Sequence, residues 1–158
     1  MGQVQVERVV FDTNVVVSGL LFGGIPGKLV SLWKGKRIKA FTTAAIIDEW
    51  VRVLTYPKFG LSESEIEYLI YQEILPYFEV ASLASVDPPV IKKDPSDDKF
   101  IACALASNSR IIISGDRHLL EIKTYKDIDI VSPSQFLDRG VTADDLLKIG
   151  SPALRRSQ

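Results

Sequence analysis

A short apolar run that ends abruptly on polar residues constrains this chain more than any other feature. Residues 9–11 read as a buried strand, because β-branched and aromatic residues favour extended backbone. Asp12, Thr13 and Asn14 follow at once, and a second apolar run begins after them. In open α/β sheets, ligands bind outside the carboxyl ends of the strands. Asp12 is therefore either the N-cap of the next helix, a position that Asp favours, or a functional group at a ligand-binding edge.

Strand patterns alternate with helix patterns along the whole chain. Further strands are predicted at residues 38–42, 78–81, 111–113 and 129–131, and helices at residues 28–34, after Thr42 or Thr43, after Ser62, from Asp94 and after Ser132. Residues 18–27 are rich in glycine and include Pro26, so they are predicted to form a loop, interrupted at most by a short helical turn. The alternation predicts a three-layer α/β domain, with a mainly parallel sheet covered by helices on both faces.

Length and composition narrow the possibilities further. A chain of 158 residues corresponds to one domain, so residues 1–158 are predicted to form a single unit with a frayed tail at 151–158. The net charge of −1 provides no global positive field, so a polyanionic partner would need a local patch or metal ions. The single cysteine, Cys103, excludes an internal disulfide and, with no signal-peptide pattern, favours the cytoplasm. No apolar stretch approaches the roughly 20 residues of a membrane span.

Four carboxylates are predicted to meet at one edge of the sheet. Asp12 and Asp116 follow strands, Asp98 lies in the first turn of a helix, and Glu49 lies early in the helix after the second strand. Strand carboxyl ends and helix N-termini share one edge when parallel strands are joined by right-handed crossovers. Clustered carboxylates repel one another unless a hard divalent cation lies among them. The pattern therefore predicts metal-assisted attack of water on a phosphodiester.

Ordinary structural roles also explain several of these acids and the acids next to them in the sequence. Capping and the helix dipole account for Asp94 and Asp97, and Asp116 could be an ordinary turn residue. Asp48 is adjacent to Glu49, so only one of the two can point to a given site, and a solvated helix face explains both. Some polar neighbours of the acids could either cap helices or hydrogen-bond the carboxylates and a metal-bound water: Thr13, Asn14 and Ser114.

Four motifs taken together resemble those of PIN-domain nucleases. They are Phe-Asp12-Thr-Asn14, the Asp48-Glu49 pair on an amphipathic helix, Asp94-Pro-Ser-Asp-Asp98-Lys-Phe-Ile-Ala102, and Ile-Ser114-Gly-Asp116-Arg-His-Leu-Leu120. Within that family, the sequence is most similar to the toxin components of toxin–antitoxin pairs that are related to VapC-type toxins. The resemblance covers about residues 8–136, and the motifs occur in the family's order and spacing.

The resemblance implies a five-stranded parallel sheet between helices and an acidic pocket that binds Mg²⁺ or Mn²⁺. It also implies cleavage of single-stranded RNA, frequent homodimers, and inhibition by a small antitoxin protein. The family's third acid corresponds to Asp98 rather than Asp97, because an aromatic and an aliphatic residue follow Asp98 two and three positions later. The four family acids, expected to be catalytic and metal-binding, are Asp12, Glu49, Asp98 and Asp116. The expected supporting residues are Thr13, Asn14, Ser114 and Asp97.

Basic residues near these motifs are candidates for contact with RNA phosphates. Residues 34–39 carry four cations, which is typical of a solvated turn and also compatible with a phosphate-contacting patch. The only histidine in the chain has either a packing role or a role at the site. The candidate RNA-binding residues are Lys36, Arg37, Lys39, Arg117 and His118.

The resulting hypothesis is a metal-dependent endoribonuclease. Asp12, Asp98 and Asp116 would hold the ion, and Glu49 would complete its shell or orient the attacking water. One alternative is a non-catalytic RNA- or protein-binding module on the same fold. The other is a phosphoryl-transfer domain with Asp12 as nucleophile, although a receiver domain would need an acidic neighbour beside Asp12 and a lysine at a later strand end.

Overall fold

A single mixed sheet forms the centre of the molecule. The computed structural model describes residues 6–83 and 98–139. Its strands are β1 (Glu7–Phe11), β2 (Ile38–Thr42), β3 (Phe78–Val80), β4 (Ile111–Ile113), β5 (Thr124–Tyr125) and β6 (Ile128–Val131), in the spatial order β3-β2-β1-β4-β6-β5. All neighbouring strands are parallel except β5, which runs antiparallel to β6. The mainly parallel sheet is confirmed, and a two-residue edge strand, β5, adds to the five expected strands.

Helices follow the strands in regular alternation. They are α1 (Thr13–Leu21), α2 (Gly24–Lys34), α3 (Ala44–Leu54), α4 (Glu63–Tyr68), α5 (Asp98–Ser107), α6 (Arg117–Ile122) and α7 (Pro133–Asp138). A 3₁₀ turn occupies Pro57–Phe59, and α4 continues through a π-helical turn (Leu69–Ile74) into a second 3₁₀ turn (Leu75–Tyr77). Ser62 and Ser132 each form a capping box with the residue three positions later. These reciprocal bonds satisfy N–H groups that the first helical turn leaves free.

The loop predicted at residues 18–27 is wrong. Helix α1 extends to Leu21, and α2 begins at Gly24 after a bend of 95°. The glycines permit close packing of the two helices: a Cβ on Gly19 would lie 2.8 Å from the carbonyl oxygen of Pro26. Pro26 is tolerated because it lies in the first helical turn, where its missing N–H has no intrahelical partner. The helix predicted at 28–34 therefore begins four residues earlier.

Aromatic side chains fill the layer between the sheet and one set of helices. Phe11 of β1 packs edge-on against Trp33 of α2, at 5.3 Å between ring centroids. Phe78 of β3 contacts both Trp33 and Trp50 of α3, at 5.1 and 5.3 Å. The opposite face is covered by α5, whose small buried residues allow close approach to β1 and β2. Helices thus cover both faces, which confirms the three-layer α/β fold.

The parallel register brings four strand ends to one side of the sheet. Phe11 of β1 is aligned with Ile113 of β4, and Ile113 is aligned with Val131 of β6. Thr42 ends β2 on the same side. We call this side, with the helix N-termini that follow the strands, the carboxyl edge. Within the described part of the chain, no single helix has the length and apolarity of a membrane span. Helices α1 and α2 together are long and apolar enough, but a bend of 95° separates them.

Candidate active site at the carboxyl edge

Asp12 is buried at the centre of the carboxyl edge. Its side chain is 4% exposed and caps α1, because Oδ1 accepts a hydrogen bond of 2.8 Å from the backbone N–H of Val15. The other oxygen, Oδ2, accepts from the hydroxyl of Ser114 and from the backbone N–H of Gly115 at 3.1 Å. Both the capping and the functional interpretations of Asp12 are therefore compatible with its geometry, since Oδ1 accepts only one hydrogen bond and keeps a further lone pair.

Burial changes the acidity of this group. Desolvation raises the pKa of the Asp12 carboxyl above its ordinary value, because burial disfavours the charged form. The hydrogen bonds from Ser114, Val15 and Gly115 oppose that rise, whereas the negative charge of Asp116 adds to it. A positive ion at this edge would reverse the balance and favour the ionised carboxylate.

Ser114 connects Asp12 to the second strand-end acid. Its side chain is fully buried, and its hydroxyl donates to Asp12 while accepting a bond of 2.9 Å from the backbone N–H of Asp116. Asp116 in turn caps α6, with Oδ1 accepting from the backbone N–H of His118 at 2.8 Å. The ends of β1 and β4 are thus held together by one continuous hydrogen-bond network.

Glu49 is held by a second group of contacts at the same edge. Its Oε2 accepts from the hydroxyl of Thr13, which is the residue after Asp12. Its Oε1 accepts from the ammonium of Lys99 at 2.7 Å and from the guanidinium of Arg52 at 3.4 Å. The structure therefore brings Glu49 to the acidic edge, whereas the neighbouring Asp48 is exposed to solvent. These contacts join α1, α3 and α5.

Asp98 has an unsatisfied oxygen in this region. Its Oδ1 is buried and has no hydrogen-bond partner among the described residues. Asp98 begins α5 and precedes Lys99, which contacts Glu49. A buried acceptor without a donor costs free energy, so an ion or an ordered water is expected to contact such an atom. Asp94 and Asp97, which were also considered from the sequence, lie outside the described residues.

The donor set is chemically suited to a hard divalent cation, although it is not a closed cage. Among residues 6–83 and 98–139, no three His, Cys, Asp or Glu side chains are close enough to form a metal-binding group by themselves. Mg²⁺ does not require one, because it usually keeps several waters and is held by one or two carboxylates. The unsatisfied Asp98 Oδ1 and the all-oxygen donor set therefore fit Mg²⁺ or Mn²⁺ held with water molecules.

The predicted basic residues divide between two edges of the sheet. Arg117 and His118 are exposed in the first turn of α6, directly after Asp116. Three others lie at the start of β2, on the opposite edge from Asp12: Lys36, Arg37 and Lys39. In the parallel register, Lys39 is aligned with Arg8, four residues before Asp12. Of the five basic residues predicted from the sequence, the structure thus places Arg117 and His118 on the same edge as Asp116.

Asn14 was predicted as a supporting residue, whereas Lys99 was not predicted to belong to the site. Asn14 is exposed, in contrast to the buried Thr13 beside it. Lys99 did not emerge from the sequence as a site residue, although it contacts Glu49 and its side chain is only 21% exposed. The available signal was its position immediately after Asp98 within the third motif.

The fold and this edge define a class of α/β proteins with an acidic cluster at the carboxyl ends of parallel strands. A family model described as PIN domain matches residues 8–118, which is most of the chain. The chain is also similar to the uncharacterized protein MJ1680 of Methanocaldococcus jannaschii, with 32% identity over 120 residues that cover 73% of this chain and 75% of the relative. The chain therefore belongs to the PIN-domain family, whose fold is of the nuclease type.

Proposed function

We propose that this protein is a metal-dependent endoribonuclease that cleaves single-stranded RNA. The observation that carries the proposal is the buried Oδ1 of Asp98, which has no donor among the described residues and lies on the edge that also holds Asp12, Asp116 and Glu49. An acidic pocket with no cation would repel a phosphodiester. Oxygen ligands with a free coordination position suit a nuclease that uses Mg²⁺ or Mn²⁺.

The residues have distinct roles in this proposal. Asp12, Asp98 and Asp116 hold the ion, directly or through water. An ion held there would lower the pKa of a bound water and would stabilise charge on the leaving oxygen. Ser114 fixes the orientation of Asp12 and connects it to Asp116. Glu49 is anchored on both carboxylate oxygens and orients water at the site.

Contact with RNA is assigned first to the cations beside the carboxylates. Arg117 and His118 are exposed and adjoin Asp116, so they can reach the phosphates that flank the cleaved bond. Lys36, Arg37 and Lys39 lie at the opposite edge and would contact RNA only where it extends around the sheet. Because the net charge is only −1, these local cations and the ion must supply the attraction for RNA.

Because the sequence resembles VapC-type toxins, the proposal also includes a cellular role. In that extension, the protein acts in the cytoplasm as a homodimeric toxin that arrests growth, and a small antitoxin protein inhibits it. Induced expression in a bacterial host tests this role: wild-type protein should arrest growth, and Asp98→Asn protein expressed at the same level should not.

The two alternatives make different demands on the site. A phosphoryl-transfer domain would need Asp12 to attack phosphorus, but its side chain is 4% exposed and both oxygens accept hydrogen bonds. A non-catalytic binding module would have no use for the buried Oδ1 of Asp98, for which residues 6–83 and 98–139 provide no donor. Both observations favour the nuclease.

RNA cleavage by purified protein tests the proposed activity. Wild-type protein should cut labelled single-stranded RNA in Mg²⁺ or Mn²⁺ and stop when the metal is chelated. Asp98→Asn should lose at least about 100-fold in rate, since electrostatic groups at a reaction centre commonly contribute that much. Asp48→Asn is the matched control, because Asp48 is an exposed acid next to Glu49 and should be fully active. Full activity in folded Asp98→Asn protein, or cleavage in excess chelator, would contradict the proposal.

A further inference from the structure

We infer that Lys99 is a positioning residue that anchors Glu49 away from direct coordination of the ion and limits the metal affinity of the site. The inference rests on the proposed function, because it assumes a divalent ion at the carboxyl edge. It starts from the Glu49–Lys99 contact of 2.7 Å between Oε1 and Nζ.

Glu49 differs from Asp12 and Asp116 in the charge of its hydrogen-bond donors, because two of its donors are cations whereas those of Asp12 and Asp116 are neutral. The hydroxyl of Thr13 occupies Oε2, and Lys99 and Arg52 occupy Oε1. The Thr13 side chain is itself buried, at 4% exposure, so the hydroxyl has little freedom to turn away. Direct coordination by Glu49 through Oε1 would require its bond to Lys99 or Arg52 to break, and at Oε2 these two cations already compensate the charge that would attract an ion. A carboxylate held in this way is suited to orient water rather than to bind the ion.

Lys99 also contributes a positive charge to the edge. Its side chain is 21% exposed and that of Glu49 is 15% exposed, so solvent screens this pair less than it screens a surface pair. Lys99 follows Asp98, whose Oδ1 has no donor among the described residues. A fixed ammonium beside a proposed ligand repels a divalent cation. The same residue that orders Glu49 should therefore weaken metal binding.

This combination predicts opposite changes in two measurements. Replacing Lys99 with Met keeps the length of the side chain and removes its charge. Mn²⁺ affinity should rise by roughly five- to tenfold, from the loss of Coulomb repulsion between partly solvated charges. The kcat for RNA cleavage should fall, with KM nearly unchanged, because Glu49 is less well oriented. Lys99→Arg keeps the positive charge, so its Mn²⁺ affinity and its kcat should both be close to those of wild type.

A double substitution tests whether Glu49 is anchored near the ion or coordinates it directly. Glu49→Gln alone should weaken Mn²⁺ binding, because it removes one negative charge near the ion. Adding Lys99→Met to it removes the compensating positive charge, so the double variant should return to within about threefold of wild-type affinity. If Glu49 were a direct ligand, the double variant would bind Mn²⁺ well over threefold more weakly than wild type, because removal of a repelling charge does not replace a lost coordination bond.

Calorimetric titration of the intact protein with Mn²⁺ alone is the test. Lys34→Met is the matched control, because Lys34 also forms an ion pair, with Glu73 at 3.0 Å, but lies at the end of α2. The control should leave Mn²⁺ affinity unchanged, and circular dichroism establishes folding of each variant. If Lys99→Met does not fold, Lys99→Gln takes its place with the same expected direction.

The outcomes distinguish this inference from the proposed function. Tighter Mn²⁺ binding by Lys99→Met, with slower cleavage, supports the inference. Unchanged or weaker binding by that variant overturns it and leaves the nuclease proposal standing. A wild-type protein that binds Mn²⁺ but cuts no RNA overturns the proposed function, while the affinities still decide the role of Lys99. A wild-type protein that binds no Mn²⁺ overturns both.

Discussion

Removal of the Ser114 hydroxyl should destabilise the protein in a pH-dependent way. In the Ser114→Ala variant, Asp12 Oδ2 loses its hydroxyl donor, and the backbone N–H of Asp116 loses its acceptor. A hydrogen bond to a charged group contributes about 1.5–3 kcal/mol and a neutral one about 1 kcal/mol, so the cost with Asp12 ionised is about 3 kcal/mol. In a domain of this length, that loss lowers the Tm by about 9 °C.

The pH dependence follows from the acid that Ser114 contacts. The Ser114 hydrogen bond lowers the pKa of Asp12, so it stabilises the ionised form more than the protonated form. With Asp12 protonated, both lost bonds are neutral and the cost falls to about 2 kcal/mol. The cost should therefore increase as pH rises through the folded-state pKa of Asp12. Urea denaturation in a metal chelator, repeated between pH 4.5 and 8.5, measures this change.

Ser107→Ala is the matched control for that experiment. Ser107 is also a buried serine, but its hydroxyl contacts the carbonyl oxygen of Cys103 at 2.8 Å and the hydroxyl of Ser109 at 2.7 Å, which are neutral partners. Its loss should cost about 1–2 kcal/mol at every pH. Equal and pH-independent losses in the two variants would refute the assignment of Ser114 as the residue that stabilises the Asp12 carboxylate.

Three further predictions follow from the geometry. Burial raises the pKa of Asp12, so its contribution to stability is greatest below the ordinary pKa of 3.8 and is lost as pH rises toward the folded-state pKa. In denaturation curves, metal-free wild type should therefore lose stability relative to Asp12→Asn as pH increases. Gly19→Ala should cost about 1–3 kcal/mol by overpacking, since its Cβ would lie 2.8 Å from the Pro26 carbonyl oxygen, whereas Gly27→Ala, with its nearest atom at 3.7 Å, should melt like wild type. Arg117→Ala should weaken RNA binding and reduce the salt slope of log K by about 1 in fluorescence titrations, and an unchanged slope would remove Arg117 from the RNA interface.

Local sequence signals predicted much of the fold because they depend on neighbouring residues. The continuous β-branched run 111–113 could only be a buried strand, and the serine caps at Ser62 and Ser132 marked two helix starts. The same signals misled at residues 18–27, where glycine and proline indicated a loop. Gly19 instead serves a tertiary contact between α1 and α2, which no local pattern reveals.

The candidate site, like the fold, could be predicted only in part from local sequence. Motif spacing and the expectation of a shared sheet edge identified the residues that the structure brings to that edge: Asp12, Glu49, Asp98 and Asp116. The pairing of Glu49 with Lys99 could not be predicted, because the two residues are 50 positions apart and meet only through helix packing. Local sequence also could not separate Arg117 from Lys39, since distance from the site depends on the direction of β2 and the register of the sheet.

Anomalous diffraction from crystals grown with Mn²⁺ tests the proposed metal site most directly, because it locates the ion. We expect a peak at the carboxyl edge, within about 2.5 Å of a carboxylate oxygen of Asp98, as for a hard cation bound to oxygen. Glu49 should remain bonded to Thr13 and Lys99 in that crystal. Saturating Mn²⁺ with no peak at this edge, or with an ion bound only elsewhere on the protein, would contradict the central claim.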